Sequence, residues 1–190
     1  MSWKNDALRW GGASQLLHWL VVALILLQGP LGLLMAGMPN SPDKIRAYAL
    51  HKSIGLTILA LATLRLAWRL HAGSPAPVSG TPRWQNRAAQ VSHMLLYALL
   101  FAIPLSGWLF NSAAGFPLQW FGLFNLPPIA PSDTALRELA GTLHLWLFLL
   151  LVAVALVHAV AALHHHLVLR DATLARMLPR GWLRTRNPDN

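Results

Sequence analysis

Four stretches of the chain are almost purely apolar and long enough to cross a bilayer, which takes about 20 residues of helix. The first covers about 14–38, SQLLHWLVVALILLQGPLGLLMAGM, and Gly29-Pro30 within it predicts a kink. The second covers about 48–70, the third about 88–111 with Pro104 inside, and the fourth about 136–169. Between them, 39–47 and 71–87 are rich in Pro, Gly, Ser and charge and read as loops, His71 included. The stretch GFPLQWFGLFNLPPIAPSD at 115–133 is apolar and aromatic, but four prolines break it too often for a fifth span. Trp120, Phe121 and Phe124 suit a loop lying at the membrane interface. The pattern predicts an all-α membrane protein, a four-transmembrane-helix bundle forming one domain over residues 1–190.

Composition agrees. The 190 residues are 55% hydrophobic and only 11% charged, where a soluble domain carries about 25%. The formal net charge of +9 would suggest nucleic acid on a soluble chain. Here the basic residues sit between the spans, and no patch for nucleic acid remains. Lys4 and Arg9 before an apolar run resemble a signal peptide, but the run is too long and lacks a small-residue cleavage site, so it reads as a retained first span. The N-terminal tail, the end of the second span with its following loop, and the C-terminal tail hold Lys4, Arg9, Arg65, Arg69, Arg83, Arg87, Arg170, Arg176, Arg180, Arg184 and Arg186. The other side has Lys44, Arg46, Lys52 and Arg137. That asymmetry predicts a multi-pass chain with both termini in the cytoplasm.

Absence of cysteine excludes disulfides, covalently attached haem, thiolate-held iron–sulfur clusters and Cys-based zinc sites. Any cofactor must be held by histidine or by packing, and the spans contain histidines at intervals. His144 and His158 are separated by about 21 Å of helix rise and lie within roughly 40° on one helix face. His18, near the cytoplasmic start of the first span, is level with His158. His51, near the outer start of the second, is level with His144. Two inward-facing imidazole pairs result, each drawn from two helices, and such pairs are axial ligands for b-type haem. A single membrane histidine is more often a hydrogen-bond partner between helices, but four matched in depth are hard to explain that way. Zinc is the rival metal, and two histidines per level leave a tetrahedral site short. Gly55, Ala140, Gly141, Ala155, Ala161 and Ala162 lie near the ligands and could make room for the ring. Lys52 and Arg137 are placed to meet propionates of the outer haem, and Arg9, Arg65 or Arg69 those of the inner one. His93, opening the third span, could line the inner pocket. The consecutive His164, His165 and His166 point about 100° apart and cannot all face one metal.

His18 in SQLLHWLV, His51 in ALHKSIG, Arg65 in LRLAWRL, His93 in SHMLLYALLFAIPLSGW, the His144/His158 pair and the ending HAVAALHHHLVLRDATLARMLP together resemble the bacterial cytochrome b561 family of small di-haem membrane proteins. The resemblance covers most of the chain. It implies that His18 with His158 ligates one haem b and His51 with His144 the other. It further implies a superoxide:ubiquinone oxidoreductase, a superoxide oxidase, in which superoxide gives its electron at the periplasmic side and ubiquinone is reduced near the cytoplasmic face. A histidine at the position of His165 is linked there to quinone, while His164 stands where the family commonly has a small residue. On that reading Lys44, Arg46, Lys52 and Arg137 form an outer basic patch attractive to an anion such as superoxide, with Lys52 and Arg137 the expected contacts. The same patch would equally serve propionates. His165, His166 and Asp171 are titratable groups suited to the protons that quinone reduction consumes. A competing function is a di-haem relay subunit linking a dehydrogenase or hydrogenase partner to the quinone pool; the short loops favour the stand-alone enzyme. With no Gly-rich dinucleotide fingerprint, the chain has no domain of its own for oxidising NAD(P)H.

Overall fold

The computed structural model describes residues 2–183. The chain forms α1 (Gly12–Gly37), α2 (Pro42–Ala72), α3 (Arg83–Ala113), a hairpin of β1 (Leu118–Trp120) and β2 (Phe124–Leu126), and α4 (Thr134–Leu167), followed by a short 3-10 turn at Ala175–Met177. The four helices hold 26, 31, 31 and 34 residues, each long and apolar enough to cross a membrane.

Their ends follow from local chemistry. Ser41 Oγ accepts the Lys44 amide at 3.3 Å and Pro42 occupies the first helical position, where its missing N–H costs nothing. Asp133 Oδ1 accepts the Leu136 amide at 2.7 Å and caps α4. Gly73, at φ +69°, ends α2 in the left-handed conformation that glycine adopts freely. Both α2 and α3 are longer than their apolar runs, because hydropathy reports membrane depth while the helix continues through polar turns. His71, expected in a loop, therefore sits in the last turn of α2 with its ring 6.0 Å from that of Trp68. Neither Pro30 nor Pro104 ends its helix.

The stretch expected to be a loop contains the antiparallel hairpin, in the register Leu118↔Leu126, Gln119↔Asn125 and Trp120↔Phe124. Its turn holds Phe121 and Gly122 at φ 46° and 74°, the mirror-image geometry that matches strand twist. Strands of three residues are too short to show alternation, so no sequence signal announced them.

The chain divides into two compact units, and every long helix contributes to both. Of the described residues, the first comprises 2–20, 64–97 and 152–183; the second comprises 21–63 and 98–151. In the second, Val21, Ile58, Ala62 and Leu100 form a small core with Leu24, Ile25, Ile54, Leu61 and Phe101 packed on it. Polar Ser53, Ser106, Asn111 and Ser112 are buried while Leu34 and Trp146 are 70% and 65% exposed. Apolar side chains outside and polar ones inside are what a lipid solvent selects.

In the first unit, the segment before α1 and the one after α4 are tied together. Gln15 Nε2 donates to the carbonyl of Leu178 at 3.1 Å and Trp19 Nε1 to that of Met177 at 2.9 Å.

Candidate functional site

In the second unit α2 and α4 bring His51 and His144 together, ring centres 6.2 Å apart and planes at 75°. Each imidazole lies against a glycine of a third or fourth helix. A Cβ on Gly32 of α1 would stand 2.9 Å from His51 Cε1, and one on Gly107 of α3 would stand 3.1 Å from His144 Cε1. A side chain on Gly32 would force a shift against the His51 ring, and one on Gly107 would crowd the His144 ring.

His144 is also held in one tautomer. Its Nδ1 is 3.0 Å from the Ile103 carbonyl, which can only accept, so Nδ1 carries the proton and donates it. Ser106 Oγ, 3.0 Å from the same nitrogen, gives its own proton to Ile103 O at 2.8 Å. The lone pair is thereby left on Nε2, the arrangement typical of a metal-ligating histidine oriented by a carbonyl. His51 Nδ1 is buried with no partner among the described residues, and so is Oε1 of Gln28, whose Nε2 donates to the His51 carbonyl at 2.7 Å.

The pair fits an iron between two imidazoles. With a metal–imidazole bond of roughly 2.0 Å, ring centres facing each other across a metal stand about 6 Å apart. No group of three or more His, Cys, Asp or Glu converges among the described residues, so the remaining protein ligands of a tetrahedral zinc site are missing.

Lys52, adjacent to His51, reaches Asn111 Oδ1 and the Pro117 carbonyl, both at 3.1 Å. Its partners are neutral and its charge is uncompensated by them. The rest of the basic patch is differently placed. Lys44 donates to the Met38 carbonyl at 2.7 Å, and Arg46 pairs with Asp43 at 3.0 Å in an exposed ion pair. Arg137 lies exposed in the first turn of α4.

In the first unit three helices supply imidazoles. His158 of α4 packs edge-on against His93 of α3, ring centres 5.3 Å apart. His18 of α1 stacks edge-on on Trp19 at 5.1 Å and lies within electrostatic reach of Arg65, His158 and His93. His93, expected only as a pocket liner, is thus an immediate neighbour of His158. Above these rings Arg65 Nε donates to the Tyr97 hydroxyl at 3.1 Å, and Arg69 lies 5.7 Å from the ring centres of both Tyr97 and Trp10. Arg65 Nη1 is buried with no partner among the described residues. A buried guanidinium with an unspent donor beside imidazoles suits a carboxylate, which is what a haem propionate offers.

At the end of α4, Arg170 turns the chain at φ 54° and brings Asp171 back onto His165. Asp171 Oδ2 stands 2.6 Å from His165 Nδ1, and Oδ1 accepts the Thr173 amide at 2.8 Å. Burial works against the carboxylate's charge, but the hydrogen bonds from His165 and Thr173 prevail and hold its pKa below the ordinary range. Of the three consecutive histidines, His165 is the one fixed to a carboxylate.

Two of the glycines near the candidate histidines lie against side chains of other helices. A Cβ on Gly141 would meet the Phe110 ring at 3.2 Å, and one on Gly55 would meet Gln28 Nε2 at 3.4 Å. They make room for those side chains, because neighbours one turn away on the same helix face across to other helices. The glycines that touch imidazoles, Gly32 and Gly107, come from different helices than the histidines they touch. A glycine in an apolar run signals close packing only, so nothing in the sequence singled them out, nor Ser106, Gln28 or Tyr97.

Comparison with known proteins agrees with this chemistry. A model of the prokaryotic cytochrome b561 family matches residues 9–180. The chain is 36% identical over 179 residues to cytochrome b561 homolog 2 of Escherichia coli (strain K12), covering 94% of this chain and 95% of that one. It is 31% identical over 164 residues to a probable superoxide oxidase of Yersinia pestis, covering 86% and 92%. Over 170 residues it is 29% identical to a cytochrome b562 of Cereibacter sphaeroides, covering 85% and 90%.

Proposed function

Because the chain belongs to the prokaryotic cytochrome b561 family, membrane proteins of electron transfer with b-type haem, we propose that it is a superoxide oxidase of the inner membrane. Two superoxide ions are oxidised to two molecules of oxygen at the periplasmic side. Ubiquinone takes the two electrons and two protons near the cytoplasmic side and becomes ubiquinol. The observation that carries the reading is the His51–His144 pair, 6.2 Å apart, with the tautomer of His144 set by Ile103. The name of the Yersinia pestis relative supports the choice of superoxide.

On this reading His51 and His144 hold one haem b, and His18 and His158 hold the second. Bound haem supplies a one-electron carrier, which neither an imidazole nor an arginine can be. Arg65 and Arg69 receive propionate. Lys52, with Asn111 and Pro117 as neutral partners, keeps its charge available to an anion arriving beside His51; Arg137 adds long-range attraction from an exposed position. His165, oriented by Asp171, presents its other ring nitrogen to quinone and hands over a proton. The excess of Lys and Arg at the two tails and after α2 supports cytoplasmic termini.

The test follows haem absorption of the purified full-length protein under a steady flux of superoxide, then on addition of oxidised ubiquinone. Fast reduction that superoxide dismutase prevents, followed by reoxidation by quinone, is the expected course. Bands that ignore superoxide yet respond to quinol would overturn it in favour of a relay subunit awaiting a dehydrogenase or hydrogenase partner. The ligand assignment has its own test: His144→Ala and His158→Ala should each lose one haem, and both variants retaining two would sink it.

A further inference from the structure

Past the end of α4, residues 172–183 fold against the segment that precedes α1, and a cleft of about 560 Å³ opens between them, lined by Leu8, Arg9, Arg176, Arg180 and Leu183 with Asp6 in its wall. Its charges are unbalanced. Arg9 donates to the Leu178 carbonyl and Arg176 Nη1 to the Ala76 carbonyl, the latter at 2.7 Å. Both acceptors are neutral. Asp6 brings one negative charge, with Oδ1 accepting the amides of Leu8 at 2.8 Å and Arg9 at 2.7 Å, so three arginines against one carboxylate leave the cleft with an excess of positive charge. The ion pairs among the described residues are Arg46–Asp43 and His165–Asp171, so no carboxylate among the described residues pairs with Arg9, Arg176 or Arg180. A small cavity next to the cleft adds Lys4 beside Arg9 and Arg180.

Like charges converging on one cleft repel unless an anion sits among them. Guanidinium groups present planar forks of N–H donors whose geometry matches phosphate oxygens. The apolar part of the wall narrows the choice of phosphate. Leu8 is 69% exposed, and Trp182, next to the lining Leu183, is 71% exposed. An inorganic phosphate would satisfy the arginines and leave these side chains in water, whereas an amphiphile would cover both. The cleft also lies just beyond Gly12 and Leu167, where α1 begins and α4 ends, the level at which spans meet lipid head groups. Basic pockets at that level on the positively charged side recognise anionic head groups.

We propose that this cleft binds the head group of an anionic phospholipid, with its phosphodiester on Arg9, Arg176 and Arg180 and its apolar part against Leu8 and Leu183. The site is separate from the paired histidines and does not depend on the redox reading.

The experiment is a lipid titration of the full-length haem-loaded protein in detergent, read by native mass spectrometry, with phosphatidylglycerol against phosphatidylcholine of the same chains. One phosphatidylglycerol should be retained in preference. Arg180→Gln, which disturbs no hydrogen bond among the described residues, should weaken it about fivefold, one basic residue's share at an anionic head group. Arg180→Lys should weaken it less. Arg176→Gln combined with Arg180→Gln should abolish the preference while circular dichroism and haem absorption stay unchanged. Equal retention of the two lipids, or a preference indifferent to Arg180→Gln, overturns the proposal. Displacement of the lipid by millimolar inorganic phosphate overturns it too, in favour of a free-phosphate site; retention in its presence supports the lipid.

Discussion

A hydrogen atom in place of a side chain decides whether His51 and His144 can face each other. Gly32→Val would drive a branched side chain into an imidazole that a Cβ alone would approach at 2.9 Å, so the ring must leave its position. The expected outcome is loss of the haem proposed for that unit, read as roughly half the haem absorption per protein. Gly37→Val, at a position where nothing lies within 4 Å, should leave the spectrum alone. Asp171 offers a second test at this scale. Its folded pKa is depressed, so as pH falls the unfolded chain binds the proton first. The stability it contributes is therefore complete above the ordinary carboxylate pKa of about 4 and is lost as pH drops through the lower folded value. Asp171→Asn should flatten the acid limb of thermal stability below about pH 4. It should also slow ubiquinone reduction while leaving reduction by superoxide intact, since His165 would lose its orienting carboxylate. A variant whose two half-reactions change together would argue against a role for His165 at quinone.

Helices and hairpin meet through a few side chains on α2. Ser53 Oγ accepts the Phe121 amide at 2.9 Å, Thr57 Oγ1 accepts Trp120 Nε1 at 3.1 Å, and Lys52 holds the Pro117 carbonyl. Asn111 of α3 adds its Nδ2 to the Phe116 carbonyl at 2.7 Å. Two strands of three residues are not stable alone, so this strapping keeps the hairpin in place. Ser53→Ala or Thr57→Val should each cost about 0.5–1.5 kcal/mol. Hydrogen exchange of the amides from 118 to 126 should quicken while those of α1 and α4 stay as they were. Uniform quickening across the helices would mean that the hairpin is part of the global fold and not a strapped appendage.

For the whole molecule the testable property is its direction in the membrane. The chain has no cysteine, so single cysteines report cleanly. Asn40→Cys, between α1 and α2, should react with an impermeant maleimide added to intact spheroplasts. Ser79→Cys, between α2 and α3, should react only after the membrane is opened. The reverse pattern would invert the orientation and place Lys52 on the cytoplasmic side, which removes the proposed superoxide entry.

Four helices long and apolar enough to cross a membrane were legible in the chain because they depend on one-dimensional quantities, apolar length and helical rise. The His51–His144 meeting follows from the same arithmetic. What surrounds these residues needed three dimensions. Gly32 and Gly107 are meaningful only because a ring from another helix occupies their missing side chain, and the proton on His144 is placed by a carbonyl 41 residues away in sequence. His93 is brought beside His158 by the packing of α3 on α4. The hairpin stands on hydroxyls of a helix more than 60 residues earlier. Periodicity sets which face a residue occupies; which side chain from elsewhere meets that face is a matter of packing between helices, and only the tertiary structure decides it.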